Sequence, residues 1–282
     1  MRTRRARLIV IVVIVIGMRI PLSAQGAPGS PPAAAEHNVT QLAKQTQNPV
    51  GDIITIPFQF NFNSGGGLAD ETYFNLNIQP VIPIHLTPSV NMIARTIIPV
   101  NSFPGSQGTR FSGFGDIQQQ LFFTPAKPGK VILGIGPQFS FPTATAEPAK
   151  TGTWAAGGAA LVVLTPGPWV VGALVTQVSP LTDRGGPPRT NIFSLQYFIN
   201  YNFGKGWAIG TSPTITANWD ASGDDRWTVP LGMSISRTVV FSRQPMTLSV
   251  QYYHTVQRPD SAPSTTLRFA WNLIFPAGPG KK

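Results

Sequence analysis

Few residues in this sequence have the chemistry that hydrolysis or acid–base catalysis requires. The chain of 282 residues has no cysteine and three histidines, His37, His85 and His254. A nucleophilic hydrolase needs a hydroxyl or thiol beside a base, and no serine stands next to His254, the one histidine expected near an external rim. Three acids cluster in one segment, as is typical of solvated loops or of divalent-ion contacts to lipopolysaccharide: Asp220, Asp224 and Asp225.

No cofactor and no metal ion is predicted, because neither metal-ligand spacing nor a phosphate-binding loop is present. The glycine run 65–67 lacks the Lys-Ser/Thr that completes such a loop. The sequence therefore predicts a protein that is not an enzyme, and an outer-membrane lipid- or lipopolysaccharide-modifying hydrolase is the less favoured alternative.

A second pattern is far more frequent: neutral polar residues recur at every second position, with apolar residues between them. Period two places the two sets on opposite faces of a β-sheet. If the apolar face meets lipid, the polar face lines an interior. The predicted lumen-lining residues, mostly amides, are Gln59, Asn61, Asn75, Asn77, Gln79, Asn91, Arg95, Asp116, Gln118, Gln120, Gln138, Gln196, Asn200, Asn218, Gln251 and Arg268, with Ser194 and Thr216 on the same face.

Such a lining suits a diffusion channel, because neutral groups hydrogen-bond water and solutes without holding them tightly. The alternative is a packed polar interior with no open path, and the sequence leaves both open. Arg95, Asp116 and Arg268 are the charges in phase with this face. They could bias selectivity or bind an anionic group, or they could pair with one another as structural contacts.

Composition narrows the class of protein. Charged residues make up 11% of the chain, less than half of the roughly 25% usual in soluble domains. A content of 10% aromatic residues argues against a disordered chain. Past residue 20, no apolar run reaches the length of about 18 residues that a membrane-spanning helix needs. Two classes remain, a secreted β-sandwich and a transmembrane β-barrel. Basic residues form no cluster that would indicate nucleic-acid binding.

Strand length and loop length favour the barrel. The alternation predicts twelve strands: 52–62, 72–84, 90–100, 114–124, 130–142, 153–164, 168–179, 191–203, 206–218, 226–239, 245–257 and 264–275. Globular strands have about 5–6 residues, whereas these are long enough to cross a bilayer on a tilt, for which about 9–11 suffice. Long and short connections alternate, as in outer-membrane barrels. The predicted fold is all-β, an antiparallel up-and-down transmembrane β-barrel with short periplasmic turns and longer external loops.

Tryptophans at strand ends are predicted to mark the two membrane interfaces. Indole rings prefer the headgroup zone, where an apolar ring and a polar N–H are both satisfied. The predicted interface girdle is Trp154, Trp169, Trp207, Trp219 and Trp227.

The chain begins with an export signal. Residues 1–7 are basic and 8–18 are apolar, and small residues near 24 suit a signal peptidase; a membrane anchor is disfavoured because the apolar run is short. The predicted organisation is a signal peptide at 1–24, a periplasmic segment at 25–51, a barrel at 52–276 and a tail at 277–282. Residues 33–45 could form a short helix, which either plugs a lumen or is a flexible lead-in.

Seven stretches of the chain resemble a known bacterial outer-membrane family, that of the meta-pathway phenol-degradation and transporter proteins, some of which carry the label neuromedin U. The stretches are LAKQTQNPVGDIITIPFQ (42–59), NIQPVIPI (77–84), TPAKPGKVILGIGPQFSFPTAT (124–145), TPGPWVVGALV (165–175), FINYNFGKGW (198–207), SPTITANW (212–219) and RWTVPLG (226–232). They extend over nearly the whole mature chain. The resemblance implies a monomeric or small-oligomeric β-barrel that passes small or aromatic compounds.

These observations together predict an outer-membrane channel or transporter for small molecules, whose solute the sequence does not identify. A structural or adhesive barrel with partner-binding loops is the alternative. The expected partners are outer-membrane lipid, lipopolysaccharide and the barrel-assembly machinery, which reads a last strand such as 267–275 with its terminal aromatic residue. No nucleic-acid partner is expected.

Overall fold

The computed structural model describes residues 32–51, 53–66, 71–105, 109–146, 149–181 and 191–276. The predicted signal peptide and C-terminal tail lie outside these ranges. One helix, α1, spans Pro32–Thr46. Within the described ranges, no helix is both long and apolar enough to cross a bilayer.

Fifteen strands follow α1 along the chain. They are β1 Ile53–Ser64, β2 Tyr73–Ile78, β3 Val81–His85, β4 Val90–Pro104, β5 Arg110–Phe114, β6 Ile117–Pro125, β7 Val131–Phe141, β8 Ala155–Leu164, β9 Trp169–Pro180, β10 Ile192–Gly204, β11 Trp207–Thr211, β12 Thr214–Asn218, β13 Trp227–Phe241, β14 Gln244–Gln257 and β15 Thr265–Pro276. A short 3-10 helix at Gly223–Arg226 precedes β13.

These strands form twelve spans of one closed antiparallel barrel. Three spans are each made of two strands with a break of two residues between them, at 79–80, 115–116 and 212–213. The last strand closes the sheet against the first along its whole length, from the Ile53 and Pro276 pair to the Ser64 and Thr265 pair. The predicted fold class and the number of spans are therefore confirmed.

The connections define two ends of the barrel. One, the short-turn end, carries the connections 86–89, 126–130, 165–168, 205–206 and 242–243. The other, the loop end, carries mostly longer ones. The third span is longer than predicted, because β4 continues to Pro104 and pairs with β5 from Arg110. The expected long loop over 101–113 is therefore a hairpin, with only 105–109 between its strands.

Two-residue hairpin turns at the short-turn end have a backbone that most residues avoid. Ser242 and Arg243 both have positive φ, 48° and 70°, and so do Lys205 and Gly206, 51° and 76°. Two central residues in the left-handed region make the turn whose twist matches that of the flanking strands. These turns therefore reverse the chain tightly without splaying the neighbouring spans.

Burial follows the period of two. On β7 the side chains of Leu133 and Ile135 are 56% and 69% exposed on the outer wall, whereas those of Ile132 and Gln138 are buried inside. Outward-facing Leu231, Met233 and Ile235 alternate in the same way with Ser234 and Ser236 on β13. A continuous apolar wall exposed on the outside is unusual for a soluble protein and suited to contact with lipid.

Replacing Ile135 with arginine tests the lipid contact. The side chain lies near the middle of its span, so a charge there is expected to lower the free energy of unfolding from a bilayer by about 2–4 kcal/mol. Denaturant titration of the refolded barrel in lipid vesicles measures this, with Ile135→Leu as the control that keeps the wall apolar. Equal stability of the two variants would contradict a lipid-facing wall at this position.

Candidate functional site: the barrel interior

The interior of the barrel is apolar on one side. Buried side chains from β3 to β10 form one cluster there, joined by a residue that follows α1: Val50, Val81, Ile93, Phe122, Ile132, Ala159, Leu161, Val163, Val170, Leu174 and Phe198. Phe122, Val163 and Val170 are completely buried. On this side of the interior the apolar side chains are therefore buried against one another, as in the core of a globular protein.

The other side of the interior is polar and holds a cavity of about 210 Å³. Serines of β13 and β14, Ser234, Ser236 and Ser249, face amides of β10 and β1 across it. Phe198 and Val81 of the apolar cluster complete one wall. Arg95 is the one ionisable side chain among the described residues that line this cavity.

Arg95 is fixed by a chain of amides that crosses five spans. Its Nη2 donates to Oε1 of Gln79 at 2.8 Å, and its Nη1 donates to Oε1 of Gln120 at 3.1 Å. Gln79 then donates to Oε1 of Gln59, and Gln120 donates to Oε1 of Gln138, both at 3.0 Å. Gln79, Gln120 and Gln138 are all at most 5% exposed, so the chain holds the guanidinium rigidly at the cavity.

Arg268 belongs to a second polar group nearer the loop end. Its Nε donates to Oδ1 of Asn61 at 2.6 Å and its Nη1 donates to Gln251 at 3.4 Å. The guanidinium also lies 5.4 Å from the ring centre of Tyr253, whose hydroxyl donates to Gln251. Asn61 continues the contacts through Asn75. These groups tie β15, β14, β1 and β2 together above the cavity.

The last residue of α1 and the segment that follows it form the floor of the cavity at the short-turn end. Residues Thr46, Gln47, Asn48 and Pro49 line it, and the side chain of Val50 is buried in the apolar cluster. Gln47 and Asn202 exchange two hydrogen bonds of 3.0 Å between their amides. The N-terminal segment is therefore held inside the barrel by both polar and apolar contacts.

α1 itself packs against the rim of the short-turn end. Lys44 donates to the carbonyl oxygen of Gly167 at 2.6 Å, in the turn between β8 and β9. Ala43 is buried. A Cβ built on Gly206 would collide with the backbone oxygen of Thr238 and would lie 2.7 Å from Cγ1 of Val39, so glycine at this turn allows close approach both to β13 and to the helix. The short-turn end of the barrel is thus covered where α1 lies.

The structure distributes the predicted lumen residues over three places. Those lining the cavity are Gln59, Gln79, Arg95, Gln196, Asn200 and Gln251. Those in the interior hydrogen-bond chains outside it are Asn61, Asn75, Gln120, Gln138 and Arg268. The remaining amides share the inner face by register and lie in the wall or near the ends: Asn77, Asn91, Gln118 and Asn218. Ser194 and Thr216 face each other on that same side.

Asp116 lies elsewhere. It occupies the break between β5 and β6 near the loop end, where its Oδ1 accepts a hydrogen bond of 2.9 Å from the backbone N–H of Ala144. Its Oδ2 accepts another from the hydroxyl of Thr151. Both carboxylate oxygens therefore bind the loop that connects β7 with β8, so the charge anchors a loop and does not pair with Arg95 or Arg268.

The sequence interpretation missed the hydroxyl wall of the cavity. Ser212, Ser234, Ser236, Thr247 and Ser249 line it, opposite the amides. The same period of two could have indicated that these hydroxyls face inward, because Ser234 and Ser236 alternate with Met233 and Ile235. The floor had no such signal, because its contacts join residues more than 150 positions apart in the chain.

The five tryptophans of the predicted girdle lie in two groups at opposite ends. At the short-turn end, Trp169 packs on Tyr201 with ring centres 4.8 Å apart, and the guanidinium of Arg237 lies 5.0 Å from the ring centre of Trp207. At the loop end, Trp219 and Trp227 meet edge to face at 5.8 Å. Trp154 packs on Phe141 at the same end.

The residues considered for catalysis lie at separate places in the structure. His254 is exposed on the outer face of β14, in register with Leu231 and Thr265. His85 lies at the short-turn end, with its Nδ1 2.9 Å from Oδ1 of Asn91. Asp220 and Asp225 are exposed at the loop end. His37 and Asp224 belong to α1 and to the 3-10 helix, respectively.

Solved structures with similar folds are outer-membrane proteins. An outer-membrane channel from Pseudomonas putida F1 has a TM-score of 0.56 and 16% identity, covering 79% of this chain and 94% of that one. The NanC porin has a TM-score of 0.50 and 9% identity, covering 78% and 98%. An outer-membrane phospholipase from Salmonella typhi, with a TM-score of 0.45 and 14% identity over 85% and 98%, is too distant to carry an argument. At these identities the likenesses show the fold alone.

Comparison with protein-family models finds no match, and comparison with curated protein sequences finds none either.

Replacing Gln120 with leucine tests the amide chain. The change leaves Nη1 of Arg95 and Oε1 of Gln138 without partners in the barrel interior, and a lost partner for a buried polar group costs about 1–3 kcal/mol. We expect a loss of that size in the free energy of unfolding, measured by denaturant titration in micelles.

Gln118→Leu is the matched control. Gln118 lies two residues earlier on the same face, and its amide makes no hydrogen bond to the described residues. A loss as large for Gln118→Leu would show that the chain through Gln120 has no special role.

Proposed function

We propose that this protein is an outer-membrane channel through which small molecules diffuse across the barrel interior, and that it is not an enzyme. The observation that carries the proposal is the polar cavity inside a closed barrel whose outer wall is apolar. Amides and hydroxyls facing such a cavity exchange hydrogen bonds with a solute at little energetic cost, so they bind it weakly enough to release it.

Several further points support this proposal. The most similar folds reported above belong to proteins described as an outer-membrane channel and a porin. The resemblance to the meta-pathway phenol-degradation family adds aromatic or hydrophobic compounds as the proposed solute class. Residues 1–24 would direct export, and the barrel-assembly machinery would insert the chain among lipid and lipopolysaccharide as a monomer or small homo-oligomer.

In the orientation that we propose for the barrel in the outer membrane, the short-turn end faces the periplasm. The two tryptophan groups then lie at the two membrane interfaces. Rings of Trp and Tyr side chains at the headgroup level stabilise the depth of a barrel in the bilayer. Arg237 beside Trp207 would place its charge in the periplasmic headgroup zone, while its stem stays against the wall.

Passage of a solute through the cavity also requires its floor to move. Residues 46–49 line the polar cavity at the short-turn end, and Val50 packs in the apolar cluster beside it. We therefore expect that a solute larger than water passes only if the floor segment shifts. The contacts of that segment, a few hydrogen bonds and the burial of Val50, are weak enough in sum to open while the barrel stays closed.

Channel activity is tested by liposome swelling with a panel of neutral sugars, organic acids and aromatic compounds. Purified, heat-modifiable barrel in vesicles is expected to give swelling rates that fall with increasing solute size, because the cavity is narrow. Protein-free vesicles and vesicles with heat-denatured protein serve as controls. Swelling no faster than in the controls for every solute would refute the channel proposal.

Movement of the floor is tested with a reversible tether. The hydroxyl oxygens of Thr46 and Thr247 lie 3.5 Å apart, so cysteines at both positions are expected to form a disulfide that ties the floor to β14. The sequence has no other cysteine. Conductance in planar bilayers should be lower in the oxidised double variant and should recover with a reducing agent.

Thr46→Cys and Thr247→Cys alone are the controls, and neither should respond to reduction. Equal conductance of the oxidised and reduced double variant, with the disulfide verified by mass, would show that solutes pass without displacing the floor.

A further inference from the structure

Two cations inside this barrel have no anionic partner within the described ranges of the chain. Among the described residues, no carboxylate pairs with Arg95 or Arg268; their partners are the neutral amides of Gln79, Gln120, Asn61 and Gln251. Asp116, the acid predicted on the same face, has both carboxylate oxygens hydrogen-bonded to the loop between β7 and β8. A buried charge is usually compensated by a charge of the opposite sign, and the described part of the chain supplies none here.

The amide chain orients Arg95 without neutralising it. A guanidinium has only donors, so Gln79 and Gln120 must turn their oxygens toward it. Their NH2 groups then point away and donate to Gln59 and Gln138. The aligned dipoles stabilise the cation in a fixed position, and the net positive charge remains. Arg95 is thus held in place at the cavity as a charge that attracts anions.

Arg95 also keeps hydrogen-bonding capacity for a ligand. Of the five N–H donors of a guanidinium, it uses two on amide oxygens. The side chain lines the cavity, where the opposite wall offers the hydroxyls of Ser212, Ser234 and Ser249. Arg268 differs, since it lies outside the cavity and packs over the ring of Tyr253.

We propose that Arg95 is the binding residue for the carboxylate of a small organic acid, and that it makes the lumen selective for anions. The guanidinium holds the carboxylate, and the serine hydroxyls opposite hydrogen-bond the rest of a polar solute. Low-dielectric walls concentrate the field of a fixed charge in a narrow cavity, so even one arginine affects which ions enter. The selectivity in passage rests on the proposed channel function, whereas the binding does not.

Binding is measured by isothermal titration calorimetry on the folded full-length barrel in detergent, with three probes of similar size and different charge. D-gluconate is an anion, D-glucose is neutral and D-glucosamine is a cation. Gluconate should bind more tightly than the other two. The affinity for gluconate should fall at least about tenfold in Arg95→Gln, as expected for the loss of a charge-assisted contact. Arg95→Lys should retain part of it, because the charge remains without the planar fork.

Arg237→Gln is the matched control. It removes an arginine from the same barrel, but one that faces outward beside Trp207 at the short-turn end. Its affinity for gluconate should equal that of the unchanged protein. Binding of all three probes alike, or unchanged gluconate binding in a folded Arg95→Gln variant, would overturn the proposal.

Selectivity is measured separately, as the zero-current potential in a planar bilayer with a tenfold KCl gradient. The unchanged protein and Arg237→Gln should show the sign of chloride selectivity, and Arg95→Gln should shift the potential toward zero. A cation-selective potential in the unchanged protein would refute anion selectivity. Gluconate binding that depends on Arg95 without any conductance would keep the binding site and refute the channel proposal.

Discussion

Closure of the sheet is the constraint on which the rest of this structure depends. A strand in a bilayer finds no water for its backbone polar groups, so each must pair with a neighbouring strand. The twelve spans meet this requirement because β15 pairs with β1 over twelve consecutive positions. Closure fixes which face of every strand points inward, and the period of two along each strand then assigns each side chain to the lipid side or to the interior.

Closure of the sheet also constrains the side chains in the barrel interior. Polar side chains inside the barrel must form hydrogen bonds with one another, because protein surrounds them. Five adjacent spans meet this by passing one hydrogen bond from each amide to the next, from Gln59 through Arg95 to Gln138. The opposite side meets it mostly with apolar side chains, which need no hydrogen-bond partner. The lumen is therefore divided into a packed apolar half and a polar half with a cavity.

Most of the fold could be predicted from the sequence, because alternation is a local property. Strands such as β10 and β13 show it over more than ten residues. The hairpin of β4 and β5 could not be bounded, since glycine, serine and asparagine there also suit a loop. Gln119 is an exception to the alternation of apolar and polar side chains. It is an outward-facing amide that accepts a hydrogen bond from Thr96 on the outer wall, which the alternation alone does not explain.

The site was less predictable than the fold, because its properties depend on partners distant in sequence. The amides of the lumen could be identified from the sequence. The hydrogen-bond chain that connects them could not be predicted, because it depends on the register between neighbouring strands. The role of Asp116 depends on where one loop folds back. The floor depends on contacts between Gln47 and Asn202, and between Val50 and a cluster from seven strands. The same segment thus lines the polar cavity and also completes the packing of the apolar cluster, so a movement of this segment that withdraws Val50 would disrupt that packing.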